Sequence, residues 1–353
     1  MLFDPFRSTS MSLTNRLVMA PMTRCRAKDN LPNSLLEEYY ARRSSAGLII
    51  TEGTAPSASG LGYARMPGLF NESQEQAWKK VVDRVHEKGG KIFLQLMHTG
   101  RIASRHNLPP HAKIWAPSSI TAPGNIYTDG FGLVPHDEPS ELSKKDIQGI
   151  ISEYAASAEA AIRAGFDGVE IHAASGYLPN QFLSDNVNQR SDEYGGTIQN
   201  KIRFILELVE AVSEAAGKFR TGIKLSPGMV YNDIIIDDNI SIYKKLIQEL
   251  NAFPLAYLHL MRVKGTEGEV IIADAKNLFH GNLMVGGGFD LNEAQDFLKQ
   301  GLADLIAVGT PFIANPDLLF RWKNHYPLNH ADRSKFYSEG PEGYIDYPNV
   351  NHT

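Results

Sequence analysis

Eight short apolar runs, each followed by a helix-length amphipathic stretch, constrain this chain more than any other feature. The runs begin near 17, 48, 92, 168, 222, 255, 283 and 305, and most are four or five residues long. Runs of that length, largely apolar, read as strands buried on both faces. The stretches between them carry helix signals. Asn33 can cap a helix to about Ser45. Residues 72–88 put Trp78, Val81, Val82 and Val85 on one side before Gly89 and Gly90. Ser143 with Asp146 forms a capping box, and Asp290 with Glu293 opens another helix. Further helices are expected over 198–216, 240–250 and 270–279, with Asn315 or Pro316 opening the last. Strict strand–helix alternation implies a parallel sheet, and eight units imply closure into an α/β (β/α)8 TIM barrel. No domain boundary interrupts 1–353, so a single domain is expected.

Two stretches break the rhythm. Residues 97–142, after the third strand, are rich in proline and glycine, and a segment of that length reads as a lid or hairpin over the barrel mouth. A second excursion spans 179–196. The tail after Asn329 carries Tyr337, Tyr344 and Tyr347 and is expected to pack back onto the barrel.

Composition narrows the partners. A net charge of −5 with no basic block argues against nucleic acid or an anionic membrane surface. The single cysteine, Cys25, excludes an intrachain disulfide and all-thiolate metal cages, and no metal site is expected. No run reaches membrane-span length and no signal peptide is evident, so a cytoplasmic protein, monomer or homo-oligomer, is expected.

The carboxyl ends of barrel strands are where chemistry is done. The stretch GVEIHAASGYLPNQFLSD (168–185) runs from a strand over 169–171 into a loop holding His172, Ser175 and Tyr177: a hydrogen-bond donor, a hydroxyl and a weak acid. The alternative is a structurally satisfied histidine and a surface tyrosine. Strands seven and eight end in Gly287, Gly288 and Gly309, where backbone N–H groups could approach a phosphate, or simply turn the chain. Thr23, Gln95 and Lys224 fall at other strand ends. A flavin ring would match them, since glutamine can both donate and accept and lysine can offset negative charge near N1. Taken one at a time, each is more readily a solvated or locally paired barrel-end residue.

The motifs NRLVMAPMTR (15–24), GLIITEGT (47–54), QLMHTGR (95–101), NQRSDEYGG (188–196), FIANPD (312–317) and GYIDYP (343–348), with 168–185, cover essentially the whole chain. Together they resemble the old yellow enzyme family of flavoprotein ene-reductases, in particular its N-ethylmaleimide reductase-like branch. The resemblance implies bound FMN, reduction by NADPH or NADH, and ping-pong reduction of the C=C bond of enones, maleimides or nitroalkenes. It places Pro21, Met22 and Thr23 along the flavin, Gly53 beside it and Gln95 at its pyrimidine edge. Lys224 would lie near N1, and Gly287, Gly288, Gly309 and Thr310 at the phosphate. His172 with Ser175 would anchor the substrate oxygen and Tyr177 would give the proton. Tyr63, Tyr231 and Tyr344 would wall the pocket.

Three positions depart from the family pattern. Ser175 stands where asparagine or histidine is usual, Lys224 where arginine is usual, and Thr310 where an arginine meets phosphate. They leave two readings: an active enzyme with altered substrate choice, or a catalytically impaired flavin- or phenol-binding barrel.

Overall fold

The computed structural model describes residues 1–350. Eight parallel strands close on one another: β1 (Leu17–Met19), β2 (Leu48–Ile50), β3 (Ile92–Leu96), β4 (Gly168–Ala173), β5 (Thr221–Leu225), β6 (Tyr257–Met261), β7 (Leu283–Gly286) and β8 (Leu305–Val308). Each pairs with its sequence neighbour, and β8 returns to β1 with Val308 beside Met19. The outer helices are α1 (Ser34–Ala41), α2 (Glu72–His86), α3 (Lys144–Arg163), α4 (Ile198–Ala216), α5 (Asn239–Glu249), α6 (Gly268–Leu278), α7 (Leu291–Lys299) and α8 (Leu318–Lys323). The capping box of α3 forms in full: the Ser143 and Asp146 backbone N–H groups donate to each other's side chains.

Side chains alternate across each strand, which divides the core in two. Outward residues such as Leu94, Ile171 and Leu258 pack beneath the helices. Inward residues, among them Val18, Ile50, Phe93, Tyr257, Met284 and Leu305, fill the barrel. Its floor is closed by Phe6 and Leu13, opposed in a short antiparallel pair before β1. Two residues further up β3 and β6 the lumen turns polar, with Gln95 and His259 above Phe93 and Tyr257. The site is built on that change of layer.

The 97–142 excursion contains the expected hairpin, Asn125–Thr128 against Gly132–Pro135. The tail does pack back: Arg24 donates to the carbonyls of Phe336 and Gly343, and Arg26 to those of Lys335, Phe336 and Glu342. Three expectations need correction. His172 belongs to β4 rather than to the loop, because its pairing with Lys224 carries the ladder past Ile171. The 179–196 excursion opens on a buried helical segment, Leu178–Leu183, with proline in its first turn. The final helix starts at Leu318, and a separate short helix, Thr310–Ala314, precedes it. No helix of the described residues is long and apolar enough to cross a membrane.

Candidate active site

A cleft of about 320 Å³ opens at the carboxyl ends of the strands. That is within the range of roughly 300–1,000 Å³ usual for small-molecule sites. Pro21, Met22 and Thr23 after β1 form one wall, Gly287 and Gly288 after β7 and Gly309 and Thr310 after β8 another, with Lys224 and His259 from the lumen between them. Phe336 and Tyr337 of the tail close the rim.

The glycines are required where they stand. Gly287 has φ +125°, and a Cβ there would lie 2.2 Å from the Arg262 carbonyl oxygen. Gly288 has φ +69° and meets no protein atom within 4 Å on its Cβ side. Consecutive positive-φ glycines bare the backbone toward the cleft without an intervening side chain.

Beneath the cleft lies a buried polar chain that the sequence reading missed. Gln95 Nε2 donates to Glu170 Oε1 at 2.8 Å, and His259 Nδ1 lies 2.9 Å from Glu170 Oε2. Burial alone would raise the Glu170 carboxyl, but His259, Lys224 and the Gln95 amide outweigh it and hold it below the usual carboxylate range. Burial lowers Lys224, with Glu170 opposing. His259 is lowered by burial, partly opposed by Glu170. The signal was available: Glu170 is a charged residue inside the apolar run 168–171, and His259 interrupts 257–261 in the same way.

His172 sits beside Lys224 in the ladder. Burial, reinforced by the Lys224 cation and His259, drives its imidazole well below its ordinary value, so it is neutral. Its Nδ1 is buried with no hydrogen-bond partner. The Tyr177 ring stands edge-on to it, with centroids 4.8 Å apart. Burial, then the nearby Tyr63 phenol, push Tyr177 well above the usual range. The Tyr63 and Tyr177 hydroxyls are 3.0 Å apart. Tyr231 is half exposed and, with Tyr337, lies near enough to Tyr177 to add slightly to that rise.

Not every expected residue lines the cleft: His172, Tyr177, Tyr63 and Tyr231 lie outside its lining, and His172 adjoins it through Lys224, its ladder neighbour. Gly53 is packed against Met97, whose sulfur would lie 2.5 Å from an added Cβ. Gln95 lies behind the lining, bonded to Glu170. Ser175 adopts φ +56° and directs its hydroxyl to Met229 Sδ at 3.5 Å. Tyr344, expected on the pocket wall, is fully buried and stacked on Tyr39 at 4.0 Å; the stack excludes it from the cleft, and Phe336 and Tyr337 take that place.

The arrangement is that of a flavin oxidoreductase barrel. The family model for NADH:flavin oxidoreductase / NADH oxidase matches residues 1–329, and the chain belongs to that family. It is 40% identical to 12-oxophytodienoate reductase 1 of Oryza sativa subsp. japonica over 98% of this chain and 92% of that one. It is 38% identical to a probable flavin mononucleotide-dependent alkene reductase of Leishmania infantum, over 95% and 94% of the two chains. Among solved structures, morphinone reductase superposes with a TM-score of 0.95 at 42% identity, covering 99% of this chain and 96% of that one. The same enzyme has been seen in complex with tetrahydroNAD. The old yellow enzyme homologue from Zymomonas mobilis gives 0.94 at 37% identity, covering 98% and 99%.

The residues present fit FMN. The glycine pair offers an anion bare backbone, and Lys224 supplies positive charge. His172 Nδ1 and His259 Nε2 are buried polar atoms with no partner among the described residues.

Proposed function

We propose that the chain is an FMN-dependent, NAD(P)H-oxidising reductase of the C=C bond of activated alkenes: enones, maleimides and nitro compounds. The observation that carries this is the pairing of a neutral His172, with an unpartnered ring nitrogen, and a protonated Tyr177 at 4.8 Å, His172 standing next to the cleft-lining Lys224 in the strand ladder. Bound FMN would supply the hydride chemistry, taking hydride from NADPH or NADH and passing it to the alkene β-carbon. Pro21, Met22 and Thr23 would line its ring, with Gly53 backing that region through Met97. Lys224 would lie on its N1 side, with Gln95, expected at the pyrimidine edge, set behind it on Glu170. Gly287, Gly288, Gly309 and the Thr310 hydroxyl would hold its phosphate.

The chain's own residues do the rest. His172 donates a hydrogen bond to the substrate's carbonyl or nitro oxygen, stabilising negative charge that develops there. Tyr177 holds its proton at neutral pH and delivers it to the α-carbon, completing net addition of two hydrogens. Tyr63, bonded to Tyr177, fixes the phenol's direction. Tyr231 and Tyr337 present aromatic surface at the rim. Ser175 supports the anchor through the loop rather than through its hydroxyl. The retained His172–Tyr177 pair favours an active enzyme over an impaired binding barrel. The net charge of −5 supports the absence of nucleic-acid and anionic-membrane partners, and the reading includes a cytoplasmic monomer or homo-oligomer.

Purified protein should be yellow, and NADPH should bleach it without oxygen. Anaerobic 2-cyclohexenone or N-ethylmaleimide should then restore the colour. Bleached protein that neither alkene reoxidises would sink the proposal.

A further inference from the structure

His259 has an unassigned ring nitrogen. Its Nδ1 lies 2.9 Å from Glu170 Oε2, while Gln95 holds the other carboxylate oxygen. A fully buried carboxylate ionised beside Lys224 only accepts, so Nδ1 carries the ring proton. Burial and the Lys224 cation keep the ring from taking a second one. Nε2 is therefore a lone-pair acceptor. It is buried, it has no hydrogen-bond partner, and His259 lines the cleft. The neighbouring strand leaves room: at Gly286, an added Cβ would press on Nε2 at 3.0 Å. A buried acceptor left unpaired costs about 1–3 kcal/mol, so one that faces the cleft-lining Gly286 calls for a donor on the ligand.

We infer that His259 Nε2 accepts a hydrogen bond from a ribityl hydroxyl of the cofactor, with Glu170 as the positioning residue that fixes its tautomer. This rests on the FMN reading above. FMN offers few donors: the ring N3–H and the ribityl hydroxyls. Phosphate oxygens and ring carbonyls would repel the Nε2 lone pair. Met261, two residues beyond His259, pairs with Gly286, next to the Gly287–Gly288 cradle. His259 thus sits just below the phosphate end of the cleft and beside Lys224, where the ribityl chain must pass.

The test uses the full chain freed of flavin and titrated with riboflavin and with lumiflavin, which lacks the ribityl chain, following fluorescence quenching. His259→Phe should weaken riboflavin by about tenfold and lumiflavin by less than about twofold. His259→Gln, which restores an acceptor, should recover part of the loss. Because Phe leaves Glu170 short of a partner, a second measurement uses the unmutated chain. Among riboflavin analogues lacking one ribityl hydroxyl each, one should bind about tenfold more weakly than its siblings. Equal weakening of riboflavin and lumiflavin by His259→Phe, or equal binding of all the deoxy analogues, would overturn the inference while leaving the FMN reading intact. A chain that binds none of these flavins, nor FMN, overturns both.

Discussion

The phenolic oxygens of Tyr63 and Tyr177 stand 3.0 Å apart, so residues from the loops after β2 and β4 share one hydrogen bond next to His172. Both phenols are pushed above their ordinary range by burial. Neither ionises at neutral pH, and one must donate to the other. Tyr63 therefore decides where the Tyr177 proton points when no substrate is bound.

Replacing Tyr177 by Phe removes the proton while keeping the ring. Alkene reduction should slow by about 10²-fold or more, while flavin reduction by NADPH stays within about twofold. Tyr63→Phe should slow alkene reduction by less, because it removes only the partner. Anaerobic stopped-flow of the two half-reactions separates these outcomes. Equal losses in both halves would argue against the proton-donor role.

The glycine pair gives a contrast between stability and binding. Gly287→Ala puts a methyl 2.2 Å from the Arg262 carbonyl at a φ unsuited to an L-residue, so the fold itself should lose on the order of 1–3 kcal/mol. Gly288→Ala meets no protein atom. Its φ of +69° still costs an alanine about 1–2 kcal/mol, so it should melt somewhat below the parent but above Gly287→Ala, with lower FMN content as its main effect. Flavin content and thermal melts of both variants check the pair.

Glu52 makes a pH prediction. Burial pushes its carboxyl up from 4.5 to about 7, against the opposing Arg24 N–H and guanidinium. Between those values the folded chain keeps a proton that the unfolded chain has released. Stability should therefore fall as pH rises from about 4.5 to about 7 and stay low above, by at most about 3 kcal/mol. Glu52→Gln keeps the shape and should remove the slope, melting higher than the parent at pH 8. Parallel slopes in the two proteins would refute this.

Ser175 occupies a left-handed position that asparagine tolerates better than serine. Ser175→Asn should hold the loop at no strain cost and bring an amide toward the His172 side, tightening a phenolic ligand several-fold. Spectral titration of the oxidised, FMN-loaded protein with a phenol reads this directly. Unchanged affinity would remove position 175 from the anchor.

What was legible in the sequence was local. The β3 run 92–96 and the β8 run 305–308 fall where apolar length alone puts them, and Ser143–Asp146 announces its own helix. What was hidden depends on partners far along the chain. His172 looked like loop because only its ladder with Lys224 makes it strand. Pro179 and Pro311 masked two short helices that carry proline in their first turn. Tyr344 was placed on the pocket wall by its motif, and only the stack on Tyr39 shows it elsewhere. The Gln95–Glu170–His259 chain joins three strands, and no spacing within one strand reveals it.

Arg65 bears on access to the mouth. It donates to the carbonyls of Cys25 and Tyr337, pairs with Asp129 and Glu339, and lies over the Tyr127 ring. One guanidinium thus ties the loop after β1, the hairpin of the long excursion and the tail. Asp129 and Glu339 are largely exposed, so their ion pairs contribute little in water. The bonds to two backbone carbonyls and the ring contact matter more, and lysine cannot reproduce a planar fork. Arg65→Lys and Arg65→Ala should both loosen the hairpin, raising amide exchange over 125–135 and speeding release of a bound phenol several-fold. Reduction of the flavin by NADPH should stay nearly unchanged. Hydrogen exchange and stopped-flow dissociation measure the two effects, and a hairpin equally protected in the parent and both variants would show that something other than Arg65 holds it.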